Sequence, residues 1–351
     1  MSDREISQRK VQHIDIARQD DTRFRSTTTL LEGVQLVHEA LPELSLDEID
    51  TSVVVLGKRL RAPIIIAAMT GGSPRSRNIN RELASIAQER GYGFGLGSQR
   101  PMLQHPELTD TYAVREVAPD VLLLGNLGVI QARERKSEEL AAMVEAVGAD
   151  ALCIHLNPAM EVVQPEGDRD FRGGLETIAR LVKELPVPVM AKETGCGISY
   201  ATARRLKSVG IDAVDVSGAG GTSWVAVEMK RATGENQALG EVFREWGIPT
   251  GASVALTRAA GIGTIIATGG MVNGLDIARA MVLGASAGGL ARVVINALEE
   301  SGRSGAMGLL DRVERELRTA MLLVGARDLA ALARVPRMLS LELQRWLETA
   351  R

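Results

Sequence analysis

Eight short apolar runs punctuate the middle of the chain, at residues 64–68, 92–96, 121–124, 151–154, 187–191, 213–216, 264–267 and, more weakly, 287–291. Each stops abruptly at Gly, Ser, Asn or a charged residue, as a buried strand does when it emerges at a polar tip. Between them lie stretches with apolar residues at helical spacing, including 80–90, 137–147, 175–185, 200–209 and 275–283. Several close on Gly91, Gly148, Gly210 or Gly284, where a helix C-cap belongs. Strand and helix alternating eight times predict an α/β fold with a parallel sheet. Eight such units close more naturally into a (β/α)8 TIM barrel than into an open doubly wound sheet. On this reading residues 1–60 are an N-terminal extension, 61–300 the barrel, and 301–351 C-terminal helices. The last segment carries Leu309, Leu310, Val313, Leu317, Met321 and Leu322 on one side.

Composition narrows the setting. A chain of 351 residues suits a single barrel. It is 45% apolar but only 3% aromatic, so the core is built from Ala, Val, Ile, Leu and Met. A net charge of -3 and few stacking side chains exclude a general attraction to nucleic acid. The charged N-terminus lacks the apolar stretch of a secretory signal, and no run is long enough to span a membrane. Cys153 and Cys196 show no metal-ligand spacing. Together these predict a soluble cytoplasmic protein.

Barrel enzymes carry their chemistry at the C-terminal ends of the strands. Here those ends read Met69-Thr70-Gly71-Gly72, Gly97-Ser98-Gln99-Arg100, Gly125-Asn126 and His155 with Asn157. The later ones read Lys192-Glu193, Ser217 to Thr222, Gly269-Gly270 and Gly288-Gly289. Any one glycine serves a tight turn. Together they let backbone N–H groups approach a planar or phosphorylated ligand, and the last two pairs stand where barrels commonly bind phosphate.

Residues 155–171, HLNPAMEVVQPEGDRDF, gather an imidazole, the amides of Asn157 and Gln164, and the carboxylates of Glu161, Glu166, Asp168 and Asp170. That is either a solvated acidic loop or a set able to hold a metal and a polar substrate together. Lys192 ends an apolar strand, where an ammonium is costly to bury without an anionic partner. Glu193 points to the other side of that strand, so Lys192 is expected to face a ligand. Residues 219–240 form a glycine-bearing insertion, a lid or a plain surface loop, with Trp224 and Glu228 on one helical face. The pair Arg9-Lys10 reads on its own as solvated charge.

Taken together, RKVQHI, APIIIAAMTGG, GLGSQR, GNLG, HLNPAMEVVQPEGDRDF, VMAKE, VDVSGAGGTSW and ATGGMVNGLDIARAMVLGA resemble the type 2, FMN-dependent isopentenyl-diphosphate isomerases over nearly the whole chain. AKE, SGxGGT and the paired glycines also occur in other FMN barrels. HLN followed by QPEGD, with RKxxH and GSQR, is more particular to this family. The resemblance implies FMN across the barrel mouth, contacted at Ala68, Met69, Thr70, Ser98, Asn126, Lys192, Ser217 and Thr222. The FMN phosphate would sit near Gly269, Gly270, Ala291 and Arg292. Substrate diphosphate would meet Arg9, Lys10, Ser98, Gln99, Arg100 and His155, beside Asn157 and Met160, with Mg²⁺ on Glu161. The basic pair at the N-terminus thereby acquires a purpose.

The implied reaction is a 1,3-allylic proton shift between isopentenyl and dimethylallyl diphosphate over reduced FMN, with NADPH serving only to reduce the flavin. A homo-tetramer or octamer is the assembly the family suggests. The family has Gln where this chain has Met160, and methionine cannot carry a proton. Either the flavin N5 would do the proton transfers unaided, or Gln164, one turn further on, fills that gap if Pro165 lets the turn form, joining Lys192 and His155 as catalytic candidates. An FMN-dependent 2-hydroxy-acid oxidase or dehydrogenase would need an Arg and a His after the sixth and seventh strands, where this chain has Ser217-Gly218-Ala219-Gly220 and Thr268-Gly269-Gly270. A non-catalytic nucleotide-binding barrel would have no use for His155, Glu161 and Lys192 together.

Overall fold

The computed structural model describes residue 12 and residues 15–350, so Arg9 and Lys10 lie outside the described residues. Eight parallel strands close into a barrel: β4 (Ile64–Ile66), β5 (Gly93–Gly95), β6 (Leu122–Gly128), β7 (Ala151–Leu156), β8 (Val189–Glu193), β9 (Ala213–Asp215), β10 (Thr264–Ala267) and β11 (Ala287–Leu290). They follow one another around the ring in chain order, and β11 returns to β4 with Gly288 level with Ile64 and Leu290 with Ile66. These are the eight apolar runs, and the fold is the (β/α)8 barrel their spacing predicts.

Helices between the strands form the outer layer for the reasons the sequence suggested. Helix Pro74–Arg90 opens on Ser73, whose side chain accepts the Ser76 N–H, with Pro at the first position, and stops at Gly91 in the left-handed conformation. Helix Ser137–Val147 ends the same way at Gly148.

The three strands that precede the barrel in the chain were not anticipated. Strands β2 (Val53–Val55) and β3 (Lys58–Leu60) make a hairpin around Leu56 and Gly57, both at positive φ. Val55 and Leu60 are buried in one cluster with Ile65, Leu122, Leu124, Ala151, Cys153, Met190, Ala213, Ile266 and Ala287. The hairpin therefore stoppers the end of the barrel opposite the strand tips. Strand β1 (Val34–Leu36) pairs antiparallel with β12 (Arg337–Leu339), tying the first segment to the last. Periodicity had presented the C-terminal part as helical throughout, and β12 corrects that. Helix Arg292–Leu323 breaks at Ser301 and Gly302, the latter at φ 62°, and beyond the break buries Leu310, Val313, Leu317 and Met321. Among the described residues no helix is long and apolar enough to cross a membrane.

Candidate active site

At the C-terminal mouth of the barrel lies a cleft of about 1500 Å³, counting the part open to solvent. All eight strand ends contribute to its lining, as does the N-terminal segment through Ala17 and Arg23.

Strand β7 delivers the loop that carries most polar groups. Its end places His155 beside Asn126 of β6, and the His155 Nδ1–H donates to Asn126 Oδ1 at 2.8 Å. The chain then turns into helix Pro158–Val163, with Pro at its first position. Asn157 Nδ2 donates to Glu161 Oε1 at 2.8 Å, and the Asp168 N–H donates to Glu161 Oε2 at 2.9 Å. Only glycine permits this return, because a Cβ on Gly167 would lie 1.9 Å from the Glu161 carbonyl oxygen. Glu161 is the one carboxylate among the described residues that line the cleft. Glu166 is exposed, and Asp170 is exposed with its carboxyl held below the usual range by Arg172. Of the four acidic residues in this loop, then, one faces the cleft. Gln164 caps the helix, its N–H bonded to the Met160 carbonyl at 3.1 Å, so the turn before Pro165 does form. Both side chains line the cleft.

Lys192 requires a correction. It lines the cleft as expected, but it is not without an anionic neighbour: its Nζ donates to Asp215 Oδ2 at 2.7 Å, and both side chains are buried. The partner stands on β9, level with Lys192 across the sheet. Glu193, the neighbour along the strand, turns its carboxylate the other way and accepts the backbone N–H groups of Cys196 and Gly197. The signal was available as an aspartate inside the apolar run Val214-Asp215-Val216, a position that demands a cation.

Around the rest of the mouth, Ala68, Met69, Ser98, Asn126, Ser217 and Thr222 line the cleft, as do Gly269, Gly270, Ala291 and Arg292. So do Arg100, Asn157 and Met160 from the expected substrate set. Two expected residues do not. The Thr70 hydroxyl donates to Ser76 Oγ within the protein. Gln99 is fully buried, its Oε1 accepting the Asn126 N–H and its Nε2 reaching Met102 Sδ, because a side chain there must satisfy the β5–β6 crossover rather than face outward. Arg23, Thr268 and Trp224 line the cleft without having been singled out as contacts.

The glycines of the loops after β9 and β10 serve close backbone packing. A Cβ on Gly269 would meet the Gly218 carbonyl oxygen at 2.1 Å, and one on Gly221 would meet the Gly270 nitrogen at 2.4 Å. The loops after β9 and β10 thus pack backbone against backbone, which leaves no room for larger side chains at Gly218 or Gly269. At the end of β11 no side chain caps helix Arg292–Leu323, and its first turn, at Ala291, Arg292 and Val293, lines the cleft. A helix N-terminus in that place favours an anion.

Such a barrel mouth, with a lysine on its floor and an uncapped helix end at one side, belongs to an α/β barrel suited to an anionic ligand. The sequence profile of the FMN-dependent dehydrogenase family matches residues 2–172 and 155–337. A mandelate oxidase variant carrying a monooxide FMN adduct shares the fold with a TM-score of 0.63 at 20% identity, over 92% of this chain and 93% of its own. A second mandelate oxidase structure gives 0.65 at 18% identity over 97% and 99%. Far closer in sequence is the isopentenyl-diphosphate delta-isomerase of Thermococcus kodakarensis, 46% identical over 349 residues, 97% of this chain and 93% of that one. The isomerases of Methanothermobacter thermautotrophicus and a Nostoc species are 44% and 42% identical, over 97% and 92% of this chain and 96% and 92% of theirs. The chain belongs to the isopentenyl-diphosphate delta-isomerase family, an isomerase on an FMN-dependent barrel.

Proposed function

We propose that the cleft interconverts isopentenyl and dimethylallyl diphosphate by a 1,3-allylic proton shift over reduced FMN. The observation that carries this reading is the presence, in one cleft, of a helix N-terminus suited to phosphate and a lone carboxylate suited to a metal-bound diphosphate, over a floor that carries the Lys192–Asp215 ion pair. At one end, the uncapped first turn at Ala291 and Arg292 and the backbone at Gly269 and Gly270 suit the flavin phosphate. At the other, His155, Asn157, Arg100 and Ser98 line the cleft together with Glu161, a lone carboxylate of the kind that holds Mg²⁺ when the remaining ligands are phosphate oxygens and water. Arg9 and Lys10 of the extension are proposed to complete the diphosphate site.

Protonating an unactivated alkene gives a high-energy tertiary cation, so the reaction needs a positioned acid in a dry, electron-rich surrounding. Reduced FMN, when bound, supplies a proton-exchanging N5 region and an electron-rich ring. The chain's own work is to position and insulate. Ala68, Met69, Asn126, Ser217 and Thr222 hold the ring, Lys192 balances its charge, and His155 orients on Asn126 to meet the diphosphate. Gln164, which lines the cleft, is the side chain proposed to pass a proton to or from the substrate, a task closed to Met160. NADPH enters only as the reductant that prepares the flavin. The assembly is proposed to be a cytoplasmic homo-tetramer or octamer.

The 2-hydroxy-acid oxidase alternative is disfavoured at two positions, since Gly218 and Gly269 leave no room for substrate-binding side chains in the loops after β9 and β10. Incubation without oxygen, with FMN, NADPH and Mg²⁺, should convert isopentenyl to dimethylallyl diphosphate with no net loss of NADPH. Consumption of NADPH in proportion to product would indicate a reductase instead, and a protein that takes up no FMN would remove the reading.

A further inference from the structure

The proposed chemistry uses Lys192 but leaves its partner unassigned. Asp215 is 5% exposed and does not line the cleft, yet its carboxylate accepts from three residues that do. Lys192 Nζ approaches Oδ2 at 2.7 Å, while the Thr268 hydroxyl and the Ser217 N–H, the latter at 3.2 Å, both meet Oδ1. Three successive strands converge on it, with Lys192 of β8 level with Asp215 and Ile266 of β10 level with it on the other side. Ser217 adopts φ 36°, a left-handed conformation uncommon for a residue with a side chain. The barrel has no evident structural need for this carboxylate, because a well-packed apolar pair commonly replaces a buried ion pair without loss of stability.

We propose that Asp215 is a positioning residue for the flavin end of the cleft: it fixes the Lys192 ammonium on the floor and sets how much positive charge the cofactor meets. This rests on the FMN placement given above. Alone in a low-dielectric floor, Lys192 would present a full unit charge or lose its proton. Paired with Asp215 it presents a dipole, positive toward the cleft and negative behind. The Thr268 and Ser217 donors hold the carboxylate so that the dipole keeps this direction.

Asp215→Asn keeps the shape and removes the charge, and two measurements test it. In the full-length chain freed of flavin, acylation of Lys192 by acetic anhydride at pH 8, followed by peptide mass spectrometry against exposed lysines, should accelerate at least tenfold. A buried ammonium that loses its counter-ion gives up its proton more easily. An unchanged rate would show that Asp215 does not hold Lys192 and overturns the proposal. With FMN bound at pH 6.5, the preference for reduced over oxidised FMN should rise about tenfold in Asp215→Asn, a potential about 30 mV higher for a two-electron couple. It should fall in Lys192→Met. No shift, or shifts of one sign in both variants, would overturn the charge-setting role. Should Asp215→Asn fail to fold, Thr268→Val loosens the same carboxylate and should move both readouts in the same direction by a smaller factor. A chain that binds FMN in neither redox state would remove the proposed function, while the labelling result would still decide the pairing.

Discussion

Met160 lies in a short helix that Gln164 caps, and both line the cleft, so Gln164 is the side chain proposed to relay a proton in place of Met160. Replacing Gln164 by Ala should lower isomerase turnover by about 10²-fold, the range of a positioned acid or base, with little change in melting temperature. Adding Met160→Gln to that variant should restore part of the loss. Full activity in Gln164→Ala would exclude the relay and leave proton transfer to the cofactor region. What the sequence displayed at this scale was residue type and spacing along one strand or loop. His155, Glu161 and Lys192 could be found that way. Asp215 could not be paired with Lys192, nor could Gln99 be turned inward, because both depend on register between strands separated by a helix.

The N-terminal segment and the stretch between β9 and β10 form one element in space. Glu245 accepts the N–H groups of Arg25, Ser26 and Thr27 and the Ser26 hydroxyl, at 2.8 to 3.0 Å. Beside it, the buried Arg244 donates to the carbonyls of Asp21 and Arg23, and the Phe24 N–H bonds to the Gly221 carbonyl. This clasp brings Ala17 and Arg23 to the cleft and sets the path along which Arg9 and Lys10 are proposed to reach substrate. Burial alone would raise the Glu245 carboxyl, but the N–H groups of Arg25, Thr27 and Ser26 outweigh it and bring it down to about 2. A lowered carboxyl stabilises the clasp above its ordinary value near 4.5, and that contribution is lost as pH falls from there through about 2. At pH 7.5 Glu245→Ala should speed tryptic cleavage after Arg23 and Arg25 several-fold. Cleavage as slow as in the parent chain would show that the clasp holds without Glu245. The barrel strands were legible because each is a complete apolar run between helices. The clasp and the β1–β12 pair were not, being short, half-exposed and joined across most of the chain.

Closure of the whole molecule depends on both barrel ends. At the stoppered end Leu60 is 2% exposed, and Leu60→Ala should cost about 2 to 5 kcal/mol with no direct effect on the distant cleft, measured by denaturant unfolding alongside KM. At the mouth, a second carboxylate gives the fold a dependence on pH opposite to that of Glu245. Burial, offset in part by the N–H groups of Cys196, Gly197 and Thr194, pushes Glu193 up to about 8. Because the folded chain keeps this proton where the unfolded chain has lost it, the contribution of Glu193 to stability is greatest below about 4.5 and declines as pH rises toward 8. The melting temperature should therefore fall by several degrees between pH 5 and pH 8. Glutamine at position 193 can accept the same two backbone N–H groups without an ionisable proton, so Glu193→Gln should flatten that decline while leaving the Glu245-dependent loss below pH 4.5 in place. Parallel pH profiles for the parent and Glu193→Gln proteins would mean that Glu193 is ionised in the folded barrel, with the two backbone donors prevailing over burial.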